Sequence, residues 1–302
     1  MLIYTIIVTY NGSKWLDRCF GSLVDSTVAT KILAIDNKSN DGTPEAIRSK
    51  FPSVEVIEAG ENLGFGKANN IGLVKALNEN ADYVFLLNQD AWVEADTIEK
   101  LVSVQSPEYA ILSPMHLNGQ GNALDMRFAN YVLASLNPDV LSDIYLSRIK
   151  ARYDIKYANA AAWLLSMHCV EQIGGFDPSF FMYGEDDNYI HRVQYFGYKI
   201  GLCPSARIYH DRSFRDQDEK PHIDVYKKTL RVNFRDLNRS LLKITTRFFI
   251  DQMKSALKSF LCLRLKDFEI NIYIIFFIIA SFHQIIMSRK EAKKKGAFLQ
   301  RN

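Results

Sequence analysis

The stretch 84-VFLLNQDAWV-93 decides how the first half of this chain is read. Val84 to Leu87 are four apolar residues in a row, the pattern of a strand buried on both faces of a sheet. The run stops at Asn88-Gln89-Asp90, so a carboxylate stands where the strand should emerge from the core. An acid there needs water, a hydrogen bond or a metal ion to replace lost hydration. A cap on the turn that follows is the local answer, and a ligand site at the sheet's rim is the chemical one.

Outside that stretch two periods alternate. Leu2 to Val8 is an apolar, β-branched run stopped by the turn dipeptide Asn11-Gly12. Residues 13 to 26 place Trp15, Leu16, Cys19, Phe20 and Leu23 at helical spacing, with Ser13 as the expected N-cap. Further strands are expected at Lys31 to Ile35 and Val54 to Glu58, with helices opening at Thr43-Pro44 and covering Ala68 to Leu77. Such alternation through short loops predicts an α/β domain whose parallel sheet carries helices on both faces. Ligands of these sheets bind beyond the C-terminal strand ends, near a switch in strand order. Thr9, Asp36 and Asp90 each lie at or just past such an end, so one crevice can hold all three.

Beyond residue 101 the alternation loosens. Pro114, Pro138, Gly174-Gly175, Pro178 and Pro204 break the chain into short pieces, read as the same sheet with insertions and not as a separate domain. Residues 222 to 268 carry apolar positions at helical spacing among many Lys and Arg, without Gly or Pro. The window Ile270 to Ser288 has 19 residues and no Asp, Glu, Lys or Arg. Because it includes Asn271, Ser281, His283 and Gln284, it reads as a helix buried in the protein or lying at a membrane interface, in preference to one that spans. The tail SRKEAKKKGAFLQRN has six Lys or Arg against one Glu, which suits anionic lipid or simple solvation.

Composition narrows the class. A chain of 302 residues with 48% apolar content can build one large core or two smaller ones. A net charge of +3, from 37 basic and 34 acidic residues, is too mild for a nucleic-acid binder. Cys19, Cys169, Cys203 and Cys262 form no CxxC pair and no metal-ligand spacing, so they read as reduced, mostly buried thiols of a cytoplasmic protein. MLIYTIIVTYNG lacks the basic start and cleavage site of a signal peptide and reads as a first strand.

Four constellations bear on chemistry. The turn 36-DNKSNDGT-43 holds two aspartates, although turns favour such residues for local hydrogen bonding alone. 61-ENLGFGKANNIG-72 is glycine-rich but lacks the third glycine of a dinucleotide fingerprint; a turn that admits a phosphate or sugar to the backbone fits better. Asn88-Gln89-Asp90 is the third. In the fourth, 180-FFMYGEDDNYIHRV-193, Glu185, Asp186 and Asp187 follow an aromatic run. They can simply complement a helix dipole. Alternatively, desolvation and mutual repulsion raise one carboxyl toward the range of a general base. One metal-like and one base-like acidic site together suit displacement at a sugar or phosphoryl centre.

In order and spacing, VTYN (8–11), DNxSxDGT (36–43), NLGFGKANNIG (62–72), LLNQDA (86–91) and GGFDPSFFMYGED (174–186) resemble family 2 glycosyltransferases of the GT-A fold. The nearest branch resembles bacterial rhamnosyltransferase-type enzymes that build surface polysaccharides. The resemblance covers roughly residues 1 to 215, and VNFRDLNRS (232–240) is similar to an Arg-Asn-containing helix of those enzymes. It implies a mostly parallel, Rossmann-like GT-A sheet flanked by helices. Residues 1–100 would form its nucleotide-sugar-binding half, 101–220 its acceptor-binding half, and 221–302 a helical C-terminal extension.

The resemblance also implies roles by position. Thr9, Tyr10, Asn11 and Asp36 would contact the donor's nucleoside, with Asp36 on the base edge, and Asn62, Gly64, Lys67 and Asn69 would add donor contacts. Asn88 and Asp90 match the family's DxD-type element: Asp90 binds Mg²⁺ or Mn²⁺, and Asn88 faces the ribose or a water of the metal. Replacing the first acid by Asn removes one negative charge. His210, in IYHDRSF, matches a histidine that helps ligate metal or diphosphate, although a lone His after a strand is more often a structural hydrogen-bonder. Asp186, in the pair Glu185-Asp186, would deprotonate the acceptor, with Asp187 as the rival base. The implied partners are a nucleotide-sugar and a glycan or lipid-linked glycan acceptor, without nucleic acid. The implied reaction is a metal-dependent, inverting transfer for bacterial surface polysaccharide. It would run in the cytoplasm; the apolar window and basic tail suit peripheral membrane contact through the C-terminal third.

Two rivals share parts of this pattern. A nucleotidyltransferase uses nucleotide and metal but carries a basic, glycine-rich signature near its N-terminus, unlike VTYNGSKWL. A non-catalytic nucleotide-sugar-binding subunit can keep the fold, yet has no need of an intact Asp90 and Asp186. Residues 101–160 carry no motif that names sugar, acceptor or linkage, and nothing in the sequence sets an oligomeric state.

Overall fold

The computed structural model describes residues 1–132, 137–212 and 222–299. The first half alternates as the periodicity predicts: β1 (Ile3–Thr9), α1 (Leu16–Val24), β2 (Lys31–Asp36), α2 (Thr43–Lys50), β3 (Glu55–Glu58), α3 (Gly64–Asn78) and β4 (Tyr83–Asn88). Its strands are parallel, in the order β3-β2-β1-β4. Alternate residues of β1 serve opposite cores: Tyr4 and Ile6 pack with α3, Ile3 and Ile7 with α1. β4 divides in the same way, Val84 and Leu86 against Phe85 and Leu87. That is the two-sided burial expected of its apolar run, and each such side chain is worth about 1.5–3 kcal/mol.

Two helix starts differ from expectation. Ser13 does not cap α1; it begins a short 3-10 turn, Ser13–Trp15, and its amide donates to Asp41 Oδ2 at 3.1 Å. Ser13 is thus held by the facing 36–43 turn, and no side chain caps α1. α3 begins at Gly64, four residues early, because that glycine turns the chain into the helix at φ 75°.

The second half extends the same sheet in mixed directions. It contains β5 (Ala91–Val93), α4 (Thr97–Ser103), β6 (Tyr109–Asn118), α5 (Met126–Val132), α6 (Pro138–Tyr145) and β7 (Tyr153–Ile155). Then come β8 (Ala162–Ser166), α7 (Met167–Ile173), α8 (Glu185–Tyr195) and β9 (Lys199–His210). The order continues β4-β8-β6-β9-β5, with β7 on the side of β9. β8 runs antiparallel to β4 and β6, whereas β6 and β9 are parallel. Periodicity cannot reveal that reversal, since AWLLS in β8 is buried throughout like a parallel strand.

α9 (His222–Arg235), α10 (Leu241–Leu261) and α11 (Leu265–Glu291) form the C-terminal extension around Leu230, Phe234, Phe248, Ile274, Ile278 and Ile285. Past α11 the chain returns to the α/β domain, where the Gly175 amide donates to the Ala297 carbonyl at 2.8 Å. α11 is long and apolar enough to cross a membrane, yet only 17% of its apolar window is buried. Of the two expected settings, burial in the protein does not hold: α9 and α10 cover one side of α11 and leave the rest exposed.

Candidate active site

Parallel pairing of β1 with β2 sets Thr9 opposite Asp36 at the strand ends. The Thr9 hydroxyl donates to Asp36 Oδ1 at 2.8 Å, and Ser39 donates through its hydroxyl to Oδ1 at 2.6 Å and through its amide to Oδ2 at 2.8 Å. Three donors converge on a carboxylate that is almost fully buried. Asn11, in the left-handed region at φ 48°, ties the next turn down: its amide reaches Ser39 Oγ and its Oδ1 takes the Asn40 amide, both at 2.9 Å. Tyr10 is 46% exposed. Its backbone is clamped by the Gln89 amide, Tyr10 N–H to Oε1 at 2.9 Å and Nε2 to Tyr10 O at 3.0 Å. A fixed backbone with a free aromatic face suits a flat ring ligand.

The glycine-rich turn closes this side. Asn62 Oδ1 accepts the Gly64 amide at 2.9 Å, and Asn37 Nδ2 donates to the Gly64 carbonyl at 3.1 Å. A Cβ on Gly64 would overlap the Phe181 carbonyl, so this turn touches the loop before α8. Lys67 is exposed. Asn69 turns inward, nearly fully buried, and donates to the Phe65 carbonyl at 3.0 Å within its own helix.

At the end of β4 the chain doubles into β5, whose Ala91 pairs with His210 of β9. The Asp211 amide donates to the Asp90 carbonyl at 2.8 Å. His210 Nε2 lies 3.3 Å from Asp90 Oδ1, and its Nδ1 lies 3.3 Å from Asp125 Oδ2. Arg212 also binds Asp125 through Nε. Burial alone would raise the Asp125 carboxyl; hydrogen bonds from His210, the Phe128 amide and Arg212 outweigh it and hold the group well below the usual carboxylate range. Among the described residues no three His, Cys, Asp or Glu side chains converge on one point. The reason is that the imidazole faces Asp90 with one nitrogen and Asp125 with the other. One carboxylate and one imidazole, braced from behind, fit a divalent cation that takes its other ligands from phosphate and water.

The third cluster opens α8. Gly184 at φ 103° makes the turn, and a Cβ there would press on Phe180 and Val232. The three acids then go three ways. Glu185 points inward, buried, with Oε2 lacking a hydrogen-bond partner, and desolvation followed by the Asp186 charge pushes it up to about 7. Asp186 accepts the Tyr157 hydroxyl at 3.0 Å and the Asp187 amide at 2.9 Å. Asp187 lies 3.5 Å from Lys228 Nζ, and burial, then Asp186, raises its carboxyl. Tyr157 is pushed up by burial and then by both aspartates, so it stays a donor.

The last two clusters share a rim. The Asn88 amide donates to the Ala161 carbonyl at 2.9 Å, and four residues earlier Tyr157 holds Asp186. Four residues span at most about 14 Å. Asn37, Ser39, Gln89, Asp125 and Tyr157 therefore join the site without having been foreseen. The first three lie inside motifs already quoted, whereas Asp125 and Tyr157 sit in the stretch that carries no legible pattern.

Residues 4–141 match the model for glycosyl transferase family 2. An N-acetylglucosaminyl-diphospho-decaprenol L-rhamnosyltransferase of Mycobacterium tuberculosis is 25% identical over 284 residues, 86% of this chain and 92% of its own. The dTDP-rhamnosyl transferase RfbF of Shigella flexneri is 22% identical over 211 residues, 69% of this chain and 68% of its own. A crystal structure of GalNAc-T7 with UDP, GalNAc and Mn²⁺ shares the fold at TM-score 0.60 and 20% identity, over 77% of this chain and 47% of that one. The chain is thus a glycosyltransferase built on the GT-A fold. Over residues 4–141 it is similar to glycosyl transferase family 2.

Proposed function

We propose that this enzyme moves a rhamnosyl or other hexosyl unit from a nucleoside diphosphate to a hydroxyl of a lipid-linked glycan, with inversion, during surface polysaccharide synthesis at the cytoplasmic face of a membrane. The names of the rhamnosyltransferase relatives support the sugar and the lipid diphosphate acceptor. The observation that carries the reading is the 157–161 segment, which ties Asn88 to one end and Asp186 to the other.

The roles follow from chemistry. Tyr10 offers its ring to the donor's base and Asp36 its carboxylate to the base edge. Asn88 faces the ribose and diphosphate, while Asp90 and His210 would hold Mg²⁺ or Mn²⁺. When bound, such an ion stabilises negative charge on the departing diphosphate. Asp186 takes the proton of the acceptor hydroxyl as that oxygen attacks the anomeric carbon opposite the leaving group, so one displacement inverts the centre. The Tyr157 hydroxyl fixes the orientation of Asp186, and Lys228 holds Asp187 aside. A positioned base contributes a factor of about 10² to 10⁴.

The test is nucleoside diphosphate release from a panel of nucleotide-sugars, dTDP-rhamnose first, with an N-acetylglucosaminyl-diphospho-polyprenol acceptor. Sugar transfer is expected with one donor. Absence of release from all donors, together with no thermal stabilisation by any of them plus Mn²⁺, would sink the proposal.

A further inference from the structure

The C-terminal extension ends in an apolar tip that the transfer chemistry does not use. α10 and α11 pack side by side and join through residues 262–264. Their shared apolar core with α9 reaches Phe248 and Ile274, Gln252, Ala256 and Ser259 continue the buried face of α10, and from Phe260 to Asp267 every residue is exposed. Within that tip Leu261, Leu263 and Leu265 are 71%, 83% and 60% exposed. Leu263 also sits at φ 56°, the left-handed position that ends a helix and ordinarily falls to glycine. Neither helix termination nor core packing favours a leucine there.

Charge selects the partner. Around the tip stand Lys258, Arg264 and Lys266, with Asp267 and Glu269 following at the start of α11. A cleft of about 380 Å³ between the helices at this end is lined by Ser255, Lys258, Ser259, Arg264 and Asn271, with Asp267 as its one acid. We infer that the tip docks on an anionic phospholipid bilayer, with the three leucines in the acyl boundary and the three cations at the phosphates. Exposed Met253 and Leu257 on α10, and Phe276 and Ile279 on α11, continue the apolar surface behind the tip.

α11 lies on this surface and does not cross it. Ile274, Ile278 and Ile285 are buried in the extension's core, and Ser288 donates to Asp177 of the α/β domain, contacts that a span would strip away. At about 1.5 Å per residue the helix is about 40 Å long. The lipid contact is therefore at the far end from the basic tail, which is anchored on the α/β domain. The inference rests on the helices; it adds to the transferase reading that a lipid-linked acceptor and the enzyme meet at one surface.

The full-length protein is sedimented with vesicles of phosphatidylglycerol and phosphatidylethanolamine, and with vesicles of phosphatidylcholine alone. Binding is expected to the first only, and to weaken with salt. Leu261→Ser, Leu263→Ser and Leu265→Ser combined should weaken it at least about tenfold, as should Lys258→Glu with Arg264→Glu, each checked for an unchanged unfolding temperature. Replacing Lys293, Lys294 and Lys295 by Gln should change it by no more than about twofold. Four results overturn the inference: undiminished binding by the folded leucine variant, or loss of binding through the tail variant alone. The others are wild-type protein retained in membranes after alkaline carbonate washing, or a leucine-dependent dimer that ignores vesicles. Sedimentation uses neither donor nor acceptor, so its failure leaves the transferase proposal untouched.

Discussion

The Asp90 carboxylate lies 3.3 Å from His210 Nε2, although 120 positions (210 minus 90) separate the two residues along the chain. The antiparallel pairing of β5 with the end of β9 makes that meeting, so the pair is a property of the sheet. Asp90→Ala should abolish transfer, with no recovery in excess Mn²⁺, because the remaining imidazole cannot hold a hard cation alone. His210→Ala should leave residual activity that rises with Mn²⁺. Full nucleoside diphosphate release by Asp90→Ala with purified donor and acceptor would refute the metal assignment.

Asp125 acts from behind the imidazole. Asp125→Asn keeps the shape but removes the charge that orients His210 Nδ1–H. The Mn²⁺ concentration for half-maximal release should then rise about 10–100-fold, the usual effect of losing such a brace. An unchanged Mn²⁺ titration in a folded variant would show that His210 needs no such support.

The adjacent aspartates separate by their partners. Asp186→Asn should lower kcat by about 10² to 10⁴ while nucleotide-sugar still stabilises the protein. Asp187→Asn, which loses only its contact with Lys228, should stay within about tenfold of wild type. Tyr157→Phe should lower kcat and leave donor KM alone. The opposite ranking of the two aspartates would move the base to Asp187.

These pairings also mark what the sequence could and could not disclose. The β4 run and its acid were legible because burial on two faces demands consecutive apolar residues, and a polar stop then has to be explained. Thr9 and Asp36 were legible as strand ends for the same reason. Direction was not: β8 has the composition of a parallel strand and runs antiparallel. Asp125 and Tyr157 escaped because their partners, His210 and Asp186, are brought to them by the sheet and not by local spacing. Glycine was informative where approach required it, as at Gly64 beneath Phe181. Gly64→Ala should therefore destabilise the fold by about 1–3 kcal/mol or more through both strain and overlap, measured by urea unfolding.

Glu185 supplies the pH dependence. Its carboxyl is pushed from an ordinary 4.5 up to about 7, by burial first and the Asp186 charge second. Between those values the folded chain holds a proton that the unfolded chain has released, so stability falls as pH rises through that window. Below it the group contributes no pH dependence, and above it the full cost is present, at most about 3 kcal/mol. Glu185→Gln cannot ionise and should remove this slope. Urea unfolding at about pH 5 and about pH 8 should show wild type losing stability relative to the variant as pH rises. Equal differences at both pH values would mean that Glu185 is already ionised in the fold, and that its unpartnered oxygen has found a donor.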